Sequence, residues 1–154
     1  MAHNEKPRVL IVDDNEATCT LITALLQREF AVETASDGVE AIDKLRTNSY
    51  SAILLDLRMP QTDGFAVLDF LKQNSPDLLP NVLVVTASLT RGEIERARGY
   101  GVCGIVTKPF EVEILLAAVK ECAGPAGDGS ALGNVIASTP VLLLLADLLK
   151  QRLM

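Results

Sequence analysis

Residues 51–64 read SAILLDLRMPQTDG. The run Ser51 to Leu55 is apolar without alternation and too short for a globular helix, which is the pattern of a strand buried on both faces. It runs straight into Asp56. Pro60 and Gly64 mark a loop, and Phe65, Leu68 and Leu71 then recur at helical spacing. A buried strand, an acidic residue at its carboxyl end and an amphipathic helix follow one another within two dozen residues.

The same order repeats in both directions from this stretch. Upstream, Arg8 to Val12 (RVLIV) is a second apolar run, ended by Asp13, Asp14 and Asn15. A helix follows with Ala17, Leu21, Ile22, Leu25 and Leu26 on one face, then a short candidate strand at Ala31 to Ala35. Ser36-Asp37-Gly38 makes the next turn, and Asp37 with Glu40 three residues on predicts a capping box for a helix bearing Val39, Ile42 and Leu45. Downstream, Asn81 to Val85 (NVLVV) ends at Thr86, and Arg91 to Tyr100 is a helix weakened by Gly92. Gly104 to Thr107 is a last strand, followed by Lys108-Pro109 and a helix from Glu111 to Cys122 with Val112, Leu115 and Val119 on one side.

Five strand-helix units in succession predict an α/β fold. Each crossover must return the chain over the sheet, so the expected architecture is a doubly wound five-stranded parallel sheet covered on both faces. Polar ligands of such sheets sit beyond the carboxyl ends of the strands. The residues placed there are Asp13 and Asp14, Asp56, Thr86 and Lys108. Each alone is an ordinary turn acid, loop hydroxyl or solvated lysine; their convergence on one edge is what carries information.

Three carboxylates, a hydroxyl and an ammonium suit one task in particular. Asp13, Asp14 and Asp56 are hard oxygen ligands of the kind Mg²⁺ takes alongside phosphate oxygens. An Asp carboxylate can attack phosphorus to give an aspartyl phosphate. Lys108 and Thr86 are suitable donors to the equatorial oxygens of a phosphoryl group in transfer.

At this point the chain resembles the receiver domains of two-component response regulators. The matching pieces are Asp13-Asp14 after the first strand, Asp56 in LLDLRMPQTDG, Thr86-Ala87 in VVTAS, and Lys108-Pro109-Phe110 in VTKPF, in the same order and spacing over roughly residues 8–122. The resemblance implies a flavodoxin-like, CheY-like (βα)5 fold with Asp56 as phosphoacceptor. It implies that Asp13, Asp14 and Asp56, with the backbone carbonyl of Arg58, hold Mg²⁺. Thr86 and Lys108 would contact the phosphoryl group, and the Lys108-Pro109 bond would be cis. The implied donor is a sensor histidine kinase or a histidine phosphotransfer protein, and the output is a surface change read by a further protein whose identity the residues do not reveal. The family couples its switch through Thr86 and an aromatic residue on the fifth strand, and here Ile105 stands at the aromatic position, which predicts an altered output face. Arg58, two after the acceptor, and Ser88, two after Thr86, are expected to tune the lifetime of the phosphorylated form.

Composition narrows the alternatives. Among 154 residues, 14 Lys+Arg face 20 Asp+Glu for a net charge of −6, and aromatics make up 4% with no Trp. Clustered cations and stacking aromatics carry nucleic-acid binding, so direct DNA binding is not expected. Cys19, Cys103 and Cys122 lack C-x-x-C spacing and share the chain with the single His3, which disfavours zinc. An odd cysteine number without an apolar leader predicts thiols packed as small apolar fillers in a reducing, cytoplasmic compartment. Asp63-Gly64 is expected to cap the helix after it, Arg91, Arg96 and Arg98 to form a solvated face, and Tyr50 and Tyr100 are assigned no role.

The domain is expected to span 1–123, with its core at 8–122. A Gly- and Pro-rich linker then covers 124–137, and Thr139-Pro140 starts an amphipathic helix over 138–154 of about four turns. With Asp147 inside it, this helix is not expected to cross a bilayer. Its leucine stripe would be buried on its own domain or in a homodimer.

Three rivals remain at this stage. An Asp-nucleophile phosphohydrolase of the haloacid dehalogenase kind would need an acidic residue where Arg58 stands. A flavodoxin-like electron carrier would need a phosphate cradle where the chain has Val12-Asp13-Asp14-Asn15-Glu16. A phosphorylation-independent receiver scaffold would keep the site and never use it.

Overall fold

The strands form where the sequence is continuously apolar. The computed structural model describes residues 5–60, 63–87 and 89–124. In chain order these are β1 (Arg8–Val12), α1 (Glu16–Leu26), β2 (Ala31–Ala35), α2 (Gly38–Thr47), β3 (Ala52–Leu55), α3 (Gly64–Asn74), β4 (Val82–Thr86), α4 (Arg91–Gly99), β5 (Gly104–Thr107) and α5 (Val112–Cys122), with a 3₁₀ helix at Pro76–Asn81 before β4. The five strands make one sheet in the order β2-β1-β3-β4-β5, with every pair parallel. Every residue of β3 and β4 is buried, whereas β2, at the rim, has only Ala35 fully buried. The Lys44 ammonium donates to the Thr34 carbonyl of that rim strand at 2.5 Å.

Alternation along each strand divides the core in two. Leu10, Val12, Ile53, Leu55, Val84 and Ile105 face α2, α3 and α4, meeting Ala41, Leu45, Leu68, Leu71 and Ala97. Val9, Ile11, Leu54, Leu83, Val85 and Val106 face α1 and α5, meeting Ile22, Leu26, Leu115 and Val119. Winding reverses between β1 and β3, which opens a crevice beyond their carboxyl ends. The expected doubly wound parallel sheet is the observed one.

Short polar residues in the strand-to-helix loops hold the helix starts. Asn15, Asp37, Asp63 and Thr90 each accept a hydrogen bond from a first-turn N–H, those of Thr18, Glu40, Ala66 and Glu93, which satisfies donors the helices cannot pair internally. The expected box at Asp37 forms only by half. The Glu40 carboxylate reaches back to Ser36, accepting from its hydroxyl at 3.2 Å, and not to the backbone of Asp37. The reciprocal box is at Thr90 and Glu93, and it supports α4 despite Gly92. Gly101, at φ 84°, takes the left-handed conformation that turns the chain from α4 toward β5.

The cysteine expectation needs correction. Cys103 and Cys122 form a disulfide, with Cα atoms 5.8 Å apart across a sequence separation of 19. Helix α5 runs back along the sheet, so its last turn arrives beside Cys103, the residue just before β5. Spacing along the chain gives no sign of that meeting. Two of the three cysteines are therefore not packed thiols, and the argument from them to a reducing compartment loses its footing. Cys19 remains a thiol. Among the described residues, no helix is long and apolar enough to cross a membrane. Of the expected linker only Gly124 is described; the rest of it, the helix expected over 138–154, His3 and Ser88 lie outside the described residues.

Candidate functional site

Three of the polar residues at the carboxyl edge are held by backbone hydrogen bonds that continue the sheet past the last strand residue. Asp13 follows β1 and donates its N–H to the Ala35 carbonyl at 3.0 Å; Asp56 follows β3 and donates to Val12 at 2.9 Å; Lys108 follows β5 and donates to Thr86 at 2.8 Å. Asp13 and Asp56 are 4% and 5% exposed and Thr86 is fully buried, so their side chains sit at the base of the crevice while Asp14 is exposed at its mouth. At Gly64, a Cβ would lie 2.5 Å from the Asp56 carbonyl oxygen and 2.7 Å from the Leu57 Cα. Only glycine lets α3 start this close to the end of β3.

The two oxygens of Asp56 have different surroundings. Oδ1 accepts from the Arg58 N–H at 2.9 Å and from the Thr86 hydroxyl at 2.8 Å. Oδ2 faces the Lys108 ammonium at the longer distance of 3.4 Å. Lys108 leans instead on Asp13 Oδ2, at 2.5 Å, and Asp13 Oδ1 accepts the Asn15 N–H at 2.9 Å. Oδ2 of Asp56 is thus the less committed oxygen of the site.

Charge in the crevice is unbalanced. Asp13, Asp14 and Asp56 each offer a carboxylate oxygen, and these oxygens lie within 4.8 Å of one another. One ammonium stands among them. Burial opposes the charge on Lys108, but hydrogen bonding to Asp13 and attraction from Asp56 and Asp13 outweigh it and raise its pKa. Cys19, whose thiol donates to the Asp13 carbonyl at 3.4 Å, is pushed up to about 11, first by burial and then by the charge of Asp13. A negative cluster of hard oxygens that among the described residues has one ammonium paired with it fits a divalent, oxygen-seeking ion.

The remaining sequence-derived candidates are placed as follows. The Lys108-Pro109 peptide is cis. Ile105 is 1% exposed; it lies beside Val84 across the β4–β5 pair and belongs to the core cluster that holds Ala97 and Phe65. Arg58 sends its guanidinium across the crevice mouth to Glu93, at 2.7 Å. Asp14, Arg58, Met59, Asp63, Phe65 and Glu93 line that side of the opening. On the other side, an open groove between α1 and α2 is lined by Asp14, Glu16, Thr20, Thr23, Ser36 and Glu40.

Several partners were not anticipated. Glu93 carries no chemical signal of its own in the sequence, although the Thr90-x-x-Glu93 spacing of a capping box was there to read. Arg96 is not a purely solvated charge, because its guanidinium lies 3.9 Å over the Phe65 ring. Both tyrosines acquire carboxylate partners: Tyr50 donates to Glu33 at 2.9 Å and Tyr100 donates to Asp69.

Comparison with known proteins agrees with this geometry. The family described as "Response regulator receiver domain" matches residues 9–120. The response regulator MprA of Mycobacterium sp. (strain KMS) is 37% identical over 114 residues, covering 73% of this chain and 49% of MprA. The transcription factor SKN7 of Chaetomium thermophilum is 32% identical over 114 residues, 71% of this chain and 14% of SKN7. The chain thus spans half or less of these curated relatives. Among solved structures, the non-phosphorylated HemR receiver domain from Leptospira biflexa is similar with a TM-score of 0.71 and 29% identity, covering 78% of this chain and 96% of that one. The Vibrio cholerae chemotaxis protein CheY4 is similar with a TM-score of 0.69 and 28% identity, covering 76% and 98%.

Proposed function

This chain belongs to the response regulator receiver domains of two-component signalling, and from that premise we propose that Asp56 accepts a phosphoryl group from a phosphohistidine donor. The observation that carries the reading is the split environment of Asp56. Two donors hold Oδ1 in place, while Oδ2 stands beside an ammonium without a short hydrogen bond to it.

In this reading Oδ2 attacks phosphorus in line with the P–N bond of the donor. The new O–P bond forms as the P–N bond breaks, and its electron pair stays on the imidazole nitrogen, which takes a proton. Lys108 meets the charge of the incoming phosphoryl oxygens from the side of Asp13. The Thr86 hydroxyl, already aimed at Asp56 Oδ1, turns to a phosphoryl oxygen, a more strongly charged acceptor than the neutral carbonyl oxygen of the acyl phosphate it leaves behind. Burial of Asp13, Asp56 and Thr86 strengthens each of these contacts over its worth in water. Asp13, Asp14 and Asp56 with the Arg58 carbonyl would hold Mg²⁺, and that ion when bound supplies positive charge to the phosphoryl oxygens. The donor would be a sensor histidine kinase or a histidine phosphotransfer protein, and the output a changed surface for a further protein.

Intact-mass measurement after incubation with acetyl phosphate and Mg²⁺ tests this. The expected result is one added phosphoryl group on the wild-type chain, none on Asp56→Asn and none after chelation of the metal. Uptake by Asp56→Asn equal to the wild type would overturn the assignment of the acceptor. No uptake by the wild type would favour the scaffold, and sustained hydrolysis of phosphate esters lost in Asp56→Asn would favour the phosphohydrolase.

A further inference from the structure

Glu93 serves two partners with one oxygen. Its Oε1 accepts the Thr90 N–H at 3.0 Å, completing the capping box that starts α4. The same oxygen accepts the Arg58 guanidinium at 2.7 Å. Arg58 is anchored at its other end, since its N–H is bonded to Asp56 Oδ1. A continuous chain of contacts therefore runs from the proposed acceptor through Arg58 to the first turn of α4, across the mouth of the crevice.

The strength of each link decides how this chain responds. The Arg58–Glu93 pair is solvent-facing, with side-chain exposures of 50% and 30%, and exposed pairs contribute little. A phosphoryl group on Asp56 would bring roughly two negative charges two residues from the guanidinium, and arginine binds phosphate through paired, charge-assisted hydrogen bonds that a single carboxylate oxygen does not match. Glu93 keeps its capping bond to Thr90 without Arg58, so α4 persists but is no longer tied to the β3–α3 loop.

We propose that Arg58 is a positioning residue that exchanges Glu93 for the phosphoryl group, releasing the start of α4 as the regulatory output of the site. The proposal rests on Asp56 being the acceptor. It assigns the message to an ionic latch whose two ends are both on the surface.

The test is hydrogen exchange of the α4 amides, Ile94 to Ala97, in the full chain with and without excess acetyl phosphate and Mg²⁺, with intact mass read on the same samples. Loss of an exposed pair predicts that wild-type exchange rises about two- to fivefold on phosphorylation. Arg58→Ala and Glu93→Gln are expected to exchange faster from the start and to change little on phosphorylation, and Glu93→Gln, which alters no group placed in the site, is expected still to take up one phosphoryl group. Arg58→Lys, which keeps the charge, is expected to restore part of the response. Phosphorylated wild type with unchanged α4 exchange would overturn the latch and leave the acceptor standing, as would variants that respond like the wild type. A chain whose mass never changes would overturn the acceptor, and the latch with it.

Discussion

The Thr86 hydroxyl donates to Asp56 Oδ1 at 2.8 Å, between two buried residues. A buried hydroxyl on an ionised acid is worth about 1.5–3 kcal/mol. Thr86→Val keeps the shape of the side chain and removes the donor, so it is expected to lower unfolding free energy by about that amount. Urea unfolding measures it. Phosphoryl uptake by this variant should persist, because Lys108 and Asp56 Oδ2 are untouched.

Mg²⁺ is expected to raise the melting temperature of the wild-type chain, because an ion that binds only the folded crevice stabilises it by mass action. Asp14→Asn, at the exposed member of the cluster, should abolish most of that rise without disturbing the fold. Thermal scans across a Mg²⁺ titration, with Ca²⁺ as the comparison ion, measure both.

Two glycines should respond oppositely to alanine. At Gly64 the added methyl would lie 2.5 Å and 2.7 Å from backbone atoms of Asp56 and Leu57, so Gly64→Ala is expected to cost about 1–3 kcal/mol or more. At Gly92, inside α4, nothing stands within 4 Å, and Gly92→Ala is expected to gain about 0.4–1 kcal/mol. Equilibrium unfolding of the pair separates close approach from simple chain entropy.

Tyr50 and Glu33 define a pH window. Burial, then the hydrogen bond to Glu33, pushes the Tyr50 hydroxyl from 10.0 up to about 12. Its contribution is full below 10 and is lost as pH climbs toward 12. Glu33 is lowered from 4.5: burial works against this, but Tyr50, Arg8 and Lys44 prevail. Its contribution is present above 4.5 and fades as pH falls below it. Tyr50→Phe should reduce stability by about 1 kcal/mol at neutral pH and soften both flanks of the stability profile, as read from unfolding across pH.

Reducing the Cys103–Cys122 bond should destabilise the domain. It closes a loop with a sequence separation of 19, and a cross-link over such a span restricts the unfolded chain by about 3 kcal/mol. Denaturant midpoints with and without a phosphine reductant, and for the Cys103→Ala/Cys122→Ala double variant, measure it. Cys19→Ala should leave the reductant effect unchanged.

What could be read from residues alone follows a physical divide. β1, β3 and β4 were legible because strands buried on both faces must be continuously apolar, and Asp13, Asp56, Thr86 and Lys108 were legible because they end such runs. The contacts of Arg58 with Glu93, of Tyr50 with Glu33 and of Cys103 with Cys122 were not. They join residues 35, 17 and 19 positions apart, and no period or local cap encodes such meetings. Helix α4 shows the middle case. Gly92 argued against it, and the Thr90 and Glu93 box that offsets Gly92 was present but unweighed.

Among the described residues the rim strand β2 has no strand on its outer side, an invitation for a second molecule to stitch its own backbone alongside. Lys44 occupies the Thr34 carbonyl there, and a foreign strand would have to dislodge that ammonium before zippering on. A cation seated on a rim carbonyl is one of the ways in which sheets blunt strand addition.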